Sequence, residues 1–166
     1  MVRSLVVILG IVVVVVLLVP RPNEVRQPEV DVGSAARGAR SALGFEPSVP
    51  GGLPEGWSAT SAGARRGTDG VTTWRMNYVT PAQRFAAVSQ AAGPTRAWED
   101  RQVTDGREQG RVQVAGRSWV VRSRTDRGIT SWVLRGADVT TVVTGTARRD
   151  ELSRLAESLR PLPAQR

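Results

Sequence analysis

Residues 5–19 carry no polar side chain, and only Gly10 interrupts their aliphatic run. A helix rises about 1.5 Å per residue and roughly 20 apolar residues cross a bilayer core, so the run is short for a span and long for a buried helix. Met1 and Val2 extend it past Arg3 and Ser4. A core helix would show a polar face, and this one has none. A cleaved signal needs small residues before the cut, but the run ends Val16-Leu17-Leu18-Val19-Pro20-Arg21-Pro22. No cysteine follows to carry a lipid. The sequence therefore predicts an uncleaved signal-anchor over residues 1–20, with the polar remainder exported to the extracytoplasmic side of the cell membrane. Charge does not orient it, since Arg3 and the α-amino group lie before the run and Arg21 and Arg26 just after it.

The chain has 166 residues, which leaves room for one domain after the anchor. All 23 basic residues are arginine, and cysteine and histidine are absent. These absences remove thiol and Ser-His nucleophiles, Schiff-base lysines, the P-loop lysine, disulfides and ordinary zinc or haem ligation. No cofactor is expected.

Composition changes over residues 20–50, which hold five prolines. Residues 21–48 read as a tether with one short helix, where Asp31 precedes Val32, Ala35, Ala36, Ala39 and Leu43 at helical spacing. The folded domain is expected over residues 49–162. Strands are predicted at residues 57–65, 71–79, 84–91, 111–115, 117–124, 129–135 and 139–144, with turns at Asp69-Gly70, Gly116, Asp126-Arg127-Gly128 and Gly136-Ala137-Asp138. Pro94 opens a helix through Trp98. Leu152, Leu155, Ala156 and Leu159 make an i, i+3, i+4, i+7 stripe, with Asp150 and Glu151 in the first turn and Pro161 beyond the end. Alternation turns Trp74, Met76, Tyr78, Trp119, Val121, Trp132 and Leu134 inward. The fold class is α+β: one antiparallel sheet of about seven strands, helices packed on one face, and an N-terminal transmembrane helix before it.

Six ordered blocks carry a resemblance. They are Leu53-Pro54-x-Gly56-Trp57, Trp74-x-x-x-Tyr78-Val79-Thr80-Pro81, Gln90, Val114-x-Gly116-Arg117-x-Trp119, Thr144-Gly145-Thr146-Ala147 and Glu151-Leu152-x-x-Leu155-Ala156-x-Ser158-Leu159. In these the chain resembles domain-of-unknown-function family 4245, actinobacterial single-span membrane proteins. The resemblance implies an anchor and an extracytoplasmic domain and supplies no activity. The chain departs from that family in having only Met1-Val2-Arg3 before the span, where an Arg-rich segment is usual.

Carboxylates are the remaining acid-base groups. Glu99 and Asp100 are adjacent on a helix, and their side chains are expected to diverge by about 100°. Asp105 and Glu108 fall in a Gly-bounded loop, Asp126 and Asp138 in hairpin turns. No nucleophile–base pair is evident, and neither turn has the alternating acids of a calcium loop.

Residues 49–160 hold 17 arginines and 11 acids. An exported domain meets no nucleic acid, so the excess reads as solvated charge or as a face for an anionic envelope partner. With the tryptophans inward, Arg75, Arg122, Arg124 and Arg135 fall on the outer face with Arg111 beside them, and no acid is interleaved in those strands. The competing expectation is that acids from the turns and helices, such as Asp69, Asp126 and Asp138, neutralise them. The functional expectation is a non-catalytic binding or scaffolding domain on a cell-envelope anchor, its partners the bilayer through residues 5–19 and an anionic envelope component or membrane protein. A sensor or accessory subunit of a membrane complex, and a carboxylate-dependent hydrolase, are the alternatives.

Overall fold

The computed structural model describes residues 30–162. The apolar run at 5–19 lies outside them. Among the described residues no helix is long and apolar enough to cross a membrane.

In chain order the elements are α1 (Val32–Leu43), β1 (Ser48–Pro50), β2 (Ser58–Arg66), β3 (Thr72–Val79), β4 (Phe85–Ala92), α2 (Arg96–Gln102), β5 (Arg107–Val114), β6 (Arg117–Arg124), β7 (Ile129–Arg135), β8 (Val139–Gly145), α3 (Arg149–Ser158) and β9 (Leu159–Pro161). Seven strands form one antiparallel sheet in the order β2-β3-β4-β8-β7-β6-β5. It consists of two meanders joined where β4 pairs with β8, from Ala86 opposite Gly145 to Ala92 opposite Val139. The seam is tight: a Cβ at Gly145 would overlap the carbonyl oxygen of Phe85. β2 and β5 are the edges, and each carries a register shift, a device that twists an edge away from unwanted pairing.

Strand alternation sorts the side chains as the sequence predicts. Trp74, Met76, Tyr78, Trp119, Val121 and Trp132 are buried on one face, here the inner face. Leu152, Leu155 and Ala156 of α3 cover them. Fully burying each large apolar side chain contributes on the order of 1.5–3 kcal/mol. The indole N–H groups of Trp74, Trp119 and Trp132 have no acceptor among the described residues.

Three expectations are corrected. First, helices occupy both faces. Trp98 of α2 packs on the outer face with Ala91, Val103, Val120, Val133 and Val142, and its Nε1 donates to Thr73 Oγ1 at 2.7 Å. A seven-residue helix with one large apolar side chain shows no stripe from which its face could be read. Second, α1 belongs to the folded unit. Asp31 Oδ1 accepts from Ser34 N at 2.9 Å, and Ala36 and Leu43 are buried in the inner core. Arg40 donates to Glu46 at 2.9 and 2.5 Å and reaches the Leu162 carbonyl at 3.4 Å, fastening α1 to the end of the domain. Third, β5 starts at Arg107 rather than at residue 111, because the bulge near Gly110 breaks the alternation.

A small clasp closes the domain. β1 pairs with β9, and Gln90 ties the clasp to the seam: its Oε1 accepts from Ser48 N at 2.9 Å and its Nε2 donates to Thr141 Oγ1 at 3.1 Å.

Candidate functional site

Register brings all five predicted arginines to the outer face. Arg111 lies opposite Val120, Arg122 opposite Ser131, Arg135 opposite Thr140 and Arg75 opposite Ser89, while Arg124 lies opposite Ile129. The acids that meet them come from outside these strands. Arg135 donates from Nε and Nη2 to both oxygens of Glu99 at 2.8 and 2.5 Å. Arg122 donates to Asp100 Oδ1 at 3.1 Å and to the Gly106 carbonyl at 2.8 Å. Arg124 donates to Asp126 at 3.2 Å and to the Thr104 carbonyl at 3.1 Å. The expected unbroken positive face is therefore corrected for these three. Of the acids expected to neutralise it, Asp126 does so, while Asp69 pairs with Arg101 of α2.

Glu99 and Asp100 reach different partners, Arg135 and Arg122, yet share a groove. Both line one groove of about 460 Å3 between α2 and the sheet, with Arg96, Glu108, Arg122 and Arg135. The groove side of α2 faces two neighbouring strands, β6 and β7, so adjacent helix residues reach arginines on different strands. Glu108, expected in a loop, stands on β5 in the same groove. The Glu99 hydrogen bond holds the Arg135 guanidinium above its ordinary pKa, with burial working against it and the charges of Glu99 and Glu108 adding to the rise. Among the described residues no group of three His, Cys, Asp or Glu side chains is placed to hold a metal ion.

Arg75 differs from its neighbours. Its partners are neutral: Asn77 Oδ1 at 3.1 Å, Gln102 Oε1 at 3.1 Å and Ser89 Oγ at 3.4 Å. Burial pushes its pKa below the ordinary arginine value.

On the inner side, a cleft of about 460 Å3 opens between α1, the loop before β2, and β2–β3, lined by Val32, Leu53, Pro54, Trp57, Ala59 and Tyr78 among others. Trp57 meets Tyr78 edge-on, with ring centroids 6.2 Å apart at 70°. The acidic group at its mouth is Asp31, which is engaged in capping α1.

The family model described as Protein of unknown function (DUF4245) matches residues 1–159. The chain belongs to this family. In this DUF4245 chain the resembling blocks have architectural work. Gly56 has φ +87°, and a Cβ there would lie 3.1 Å from the Pro81 ring, so the block before β2 abuts the β3–β4 turn. Thr80, fully buried in that turn, donates to Glu151, which also accepts from Arg148 N at 2.9 Å at the start of α3. Gln90 holds the clasp and Gly145 the seam. No curated protein matches.

Two solved structures resemble the DUF4245 fold weakly. A chain of the crystal structure of MucB in complex with MucA(peri) aligns at 18% identity with TM-score 0.41, over 72% of this chain and 38% of that one. A chain of the Pseudomonas aeruginosa MucA/MucB complex aligns at 20% identity with TM-score 0.40, over 71% of this chain and 36% of that one. The chain thus spans less than two fifths of either, and a likeness of this size says nothing about ligand or partner.

Proposed function

We propose that this DUF4245 protein is a single-pass cell-envelope protein whose exported domain binds or scaffolds a partner without catalysis. The observation that carries this reading is the use made of the acidic groups in the outer groove. Both oxygens of Glu99 and one of Asp100 are occupied as acceptors of sheet arginines, which clamps α2 to the sheet. The open cleft beside Trp57 and the arginine-bearing outer face remain as contact surfaces.

One observation bears on the hydrolase reading, namely that Glu99, Asp100 and Glu108 share a groove. General acid–base work needs a carboxyl within reach of a substrate proton, and two of these three are committed to guanidinium partners.

Topology is tested with a single cysteine placed after Arg166 and a membrane-impermeant thiol reagent on intact cells. Labelling is expected; labelling only after lysis, or a mature N-terminus beyond Pro22, overturns the anchored, exported arrangement. The binding reading is tested by photo-crosslinking from residue 53, in the same cleft, of the intact protein in its native membrane. A discrete adduct lost on Trp57→Ser is expected, and a chain that crosslinks to nothing but itself counts against the reading.

A further inference from the structure

The outer face has a second groove, over the β2–β3 flank and away from the paired arginines. It is about 400 Å3 in volume, and Ser61, Gly63, Arg65, Arg75 and Asn77 line it together with Ala62 and Ala64. No acid lines it. Arg75 already spends Nε and Nη1 on neutral acceptors, which fixes its guanidinium in place, and its Nη2 has no hydrogen-bond partner among the described residues. Arg65 is exposed and makes no ion pair among the described residues. Asn77 Nδ2 donates to Ser61 Oγ at 2.6 Å, and a Cβ at Gly63 would meet nothing within 4 Å, so the floor between the two arginines is low and open.

A half-buried guanidinium without an acid is uncommon, because its desolvation has nothing to offset it. Burial lowers the Arg75 pKa with no opposing charge. An oxyanion in the groove would supply the missing counter-charge and accept a charge-assisted hydrogen bond from Arg75 Nη2.

We propose that this groove takes the phosphodiester of an anionic lipid headgroup between Arg75 and Arg65. The proposal rests on the anchored, exported reading above, which determines what the groove can meet. Twelve residues separate Val19 from Val32, and the chain between them reaches at most about 45 Å, so the start of α1 stays within that distance of the end of the apolar run. α1 covers the inner side of β2 and β3, and the groove lies on the outer side of these same two strands. The flank that carries Arg65 and Arg75 is thus within tether reach of the leaflet.

The full chain in a neutral detergent is titrated with short-chain phosphatidylglycerol, short-chain phosphatidylcholine and soluble glycerophosphoglycerol, following the amide signals of Ser61 and Gly63. Saturable shifts with phosphatidylglycerol and none with phosphatidylcholine are expected. Affinity should fall tenfold or more in Arg65→Gln and Arg75→Gln and less than threefold in Arg111→Gln, which removes a charge elsewhere on the same face. Arg75→Lys keeps the charge and loses the planar guanidinium that Asn77, Ser89 and Gln102 hold in place, so it should also weaken binding while leaving the fold intact. Equal loss in all the glutamine variants would mean a diffuse field and overturn the site. Absence of shifts at both amides does the same, and a response to glycerophosphoglycerol alone overturns the lipid assignment. A cytoplasmic C-terminus would remove the anchored reading and leave the shifts in detergent unchanged, so the two failures are distinguishable.

Discussion

Arg135 and Glu99 form a two-pronged ion pair, Nε to Oε2 at 2.8 Å and Nη2 to Oε1 at 2.5 Å, across 36 residues of chain. The Glu99 side chain is 10% exposed and that of Arg135 is 53% exposed, so the two ends differ in what their loss leaves behind. Arg135→Ala strands a nearly buried carboxylate, whereas Glu99→Ala frees a guanidinium that water can reach. Arg135→Ala is expected to cost about 1–3 kcal/mol, and the double variant less than the sum of the singles. A double-mutant cycle in urea that returns zero coupling would show that the pair does not hold α2.

Acid should act through Glu151. Burial alone would raise its pKa, but the Thr80 hydroxyl, the Arg148 N–H and the Arg148 charge outweigh it and hold the carboxyl below its ordinary value. Between the folded and the unfolded value the unfolded chain binds the extra proton. Stability from this group is therefore complete above the unfolded value of about 4.3 and is lost as pH falls through the lower folded value. Urea midpoints measured from about pH 6 down to about pH 3 should fall more steeply in the native protein than in Glu151→Gln. Parallel curves would remove Glu151 from the acid response.

α1 provides a direct test of where the domain begins. Ala36 is fully buried and Ala42 is exposed on the same helix. Ala36→Asp puts a charge into the inner core and should abolish cooperative unfolding, while Ala42→Asp should stay within about 0.5 kcal/mol of the native protein. Similar behaviour of the two variants would return residues 32–43 to the tether.

On α3, Leu155→Ala is expected to cost about 2–5 kcal/mol through lost contacts and the cavity left behind. An unchanged urea midpoint would mean that the helix does not pack on the sheet.

The tryptophans allow a comparison of partnered and unpartnered donors. Trp98 bonds to Thr73, and Trp119 has no acceptor. Both are buried, so Trp→Phe removes similar volume from each. Trp98→Phe forfeits a hydrogen bond, and Trp119→Phe relieves a buried donor, so thermal melts should rank Trp98→Phe as the more damaging.

What the sequence disclosed was local. The 3.6-residue stripe of α3, the two-residue alternation around Trp74 and Trp132, and the turn at Gly116 each need only near neighbours. The Asp126–Arg124 pair was legible for the same reason, since two residues separate the partners. The Glu99 and Asp100 pairs join residues 36 and 22 apart and depend on α2 crossing the outer face, which its seven residues do not advertise. The β1–β9 clasp was hidden because three-residue strands containing prolines have no pattern. The Arg75 groove was half visible: alternation gave its face, but its lack of an acidic neighbour depends on where α2 lies.

The seam between β4 and β8 has a consequence for the order of assembly. Gln90 and Thr141, which bond across it, are 51 residues apart, while every other pairing in the sheet joins strands consecutive in the chain. As the polypeptide is made, β2, β3 and β4 can form a hairpin pair early, and β4 must then keep an open, mostly small and apolar edge until residues 139–145 arrive. Long-range closure of this kind is the slow step of β-rich folding, and an uncovered strand edge is the hazard that accompanies it. The Gly145 close approach then makes the last strand to enter the one with least tolerance for a larger side chain, so errors there would appear as aggregation during biogenesis rather than as a weakened finished domain.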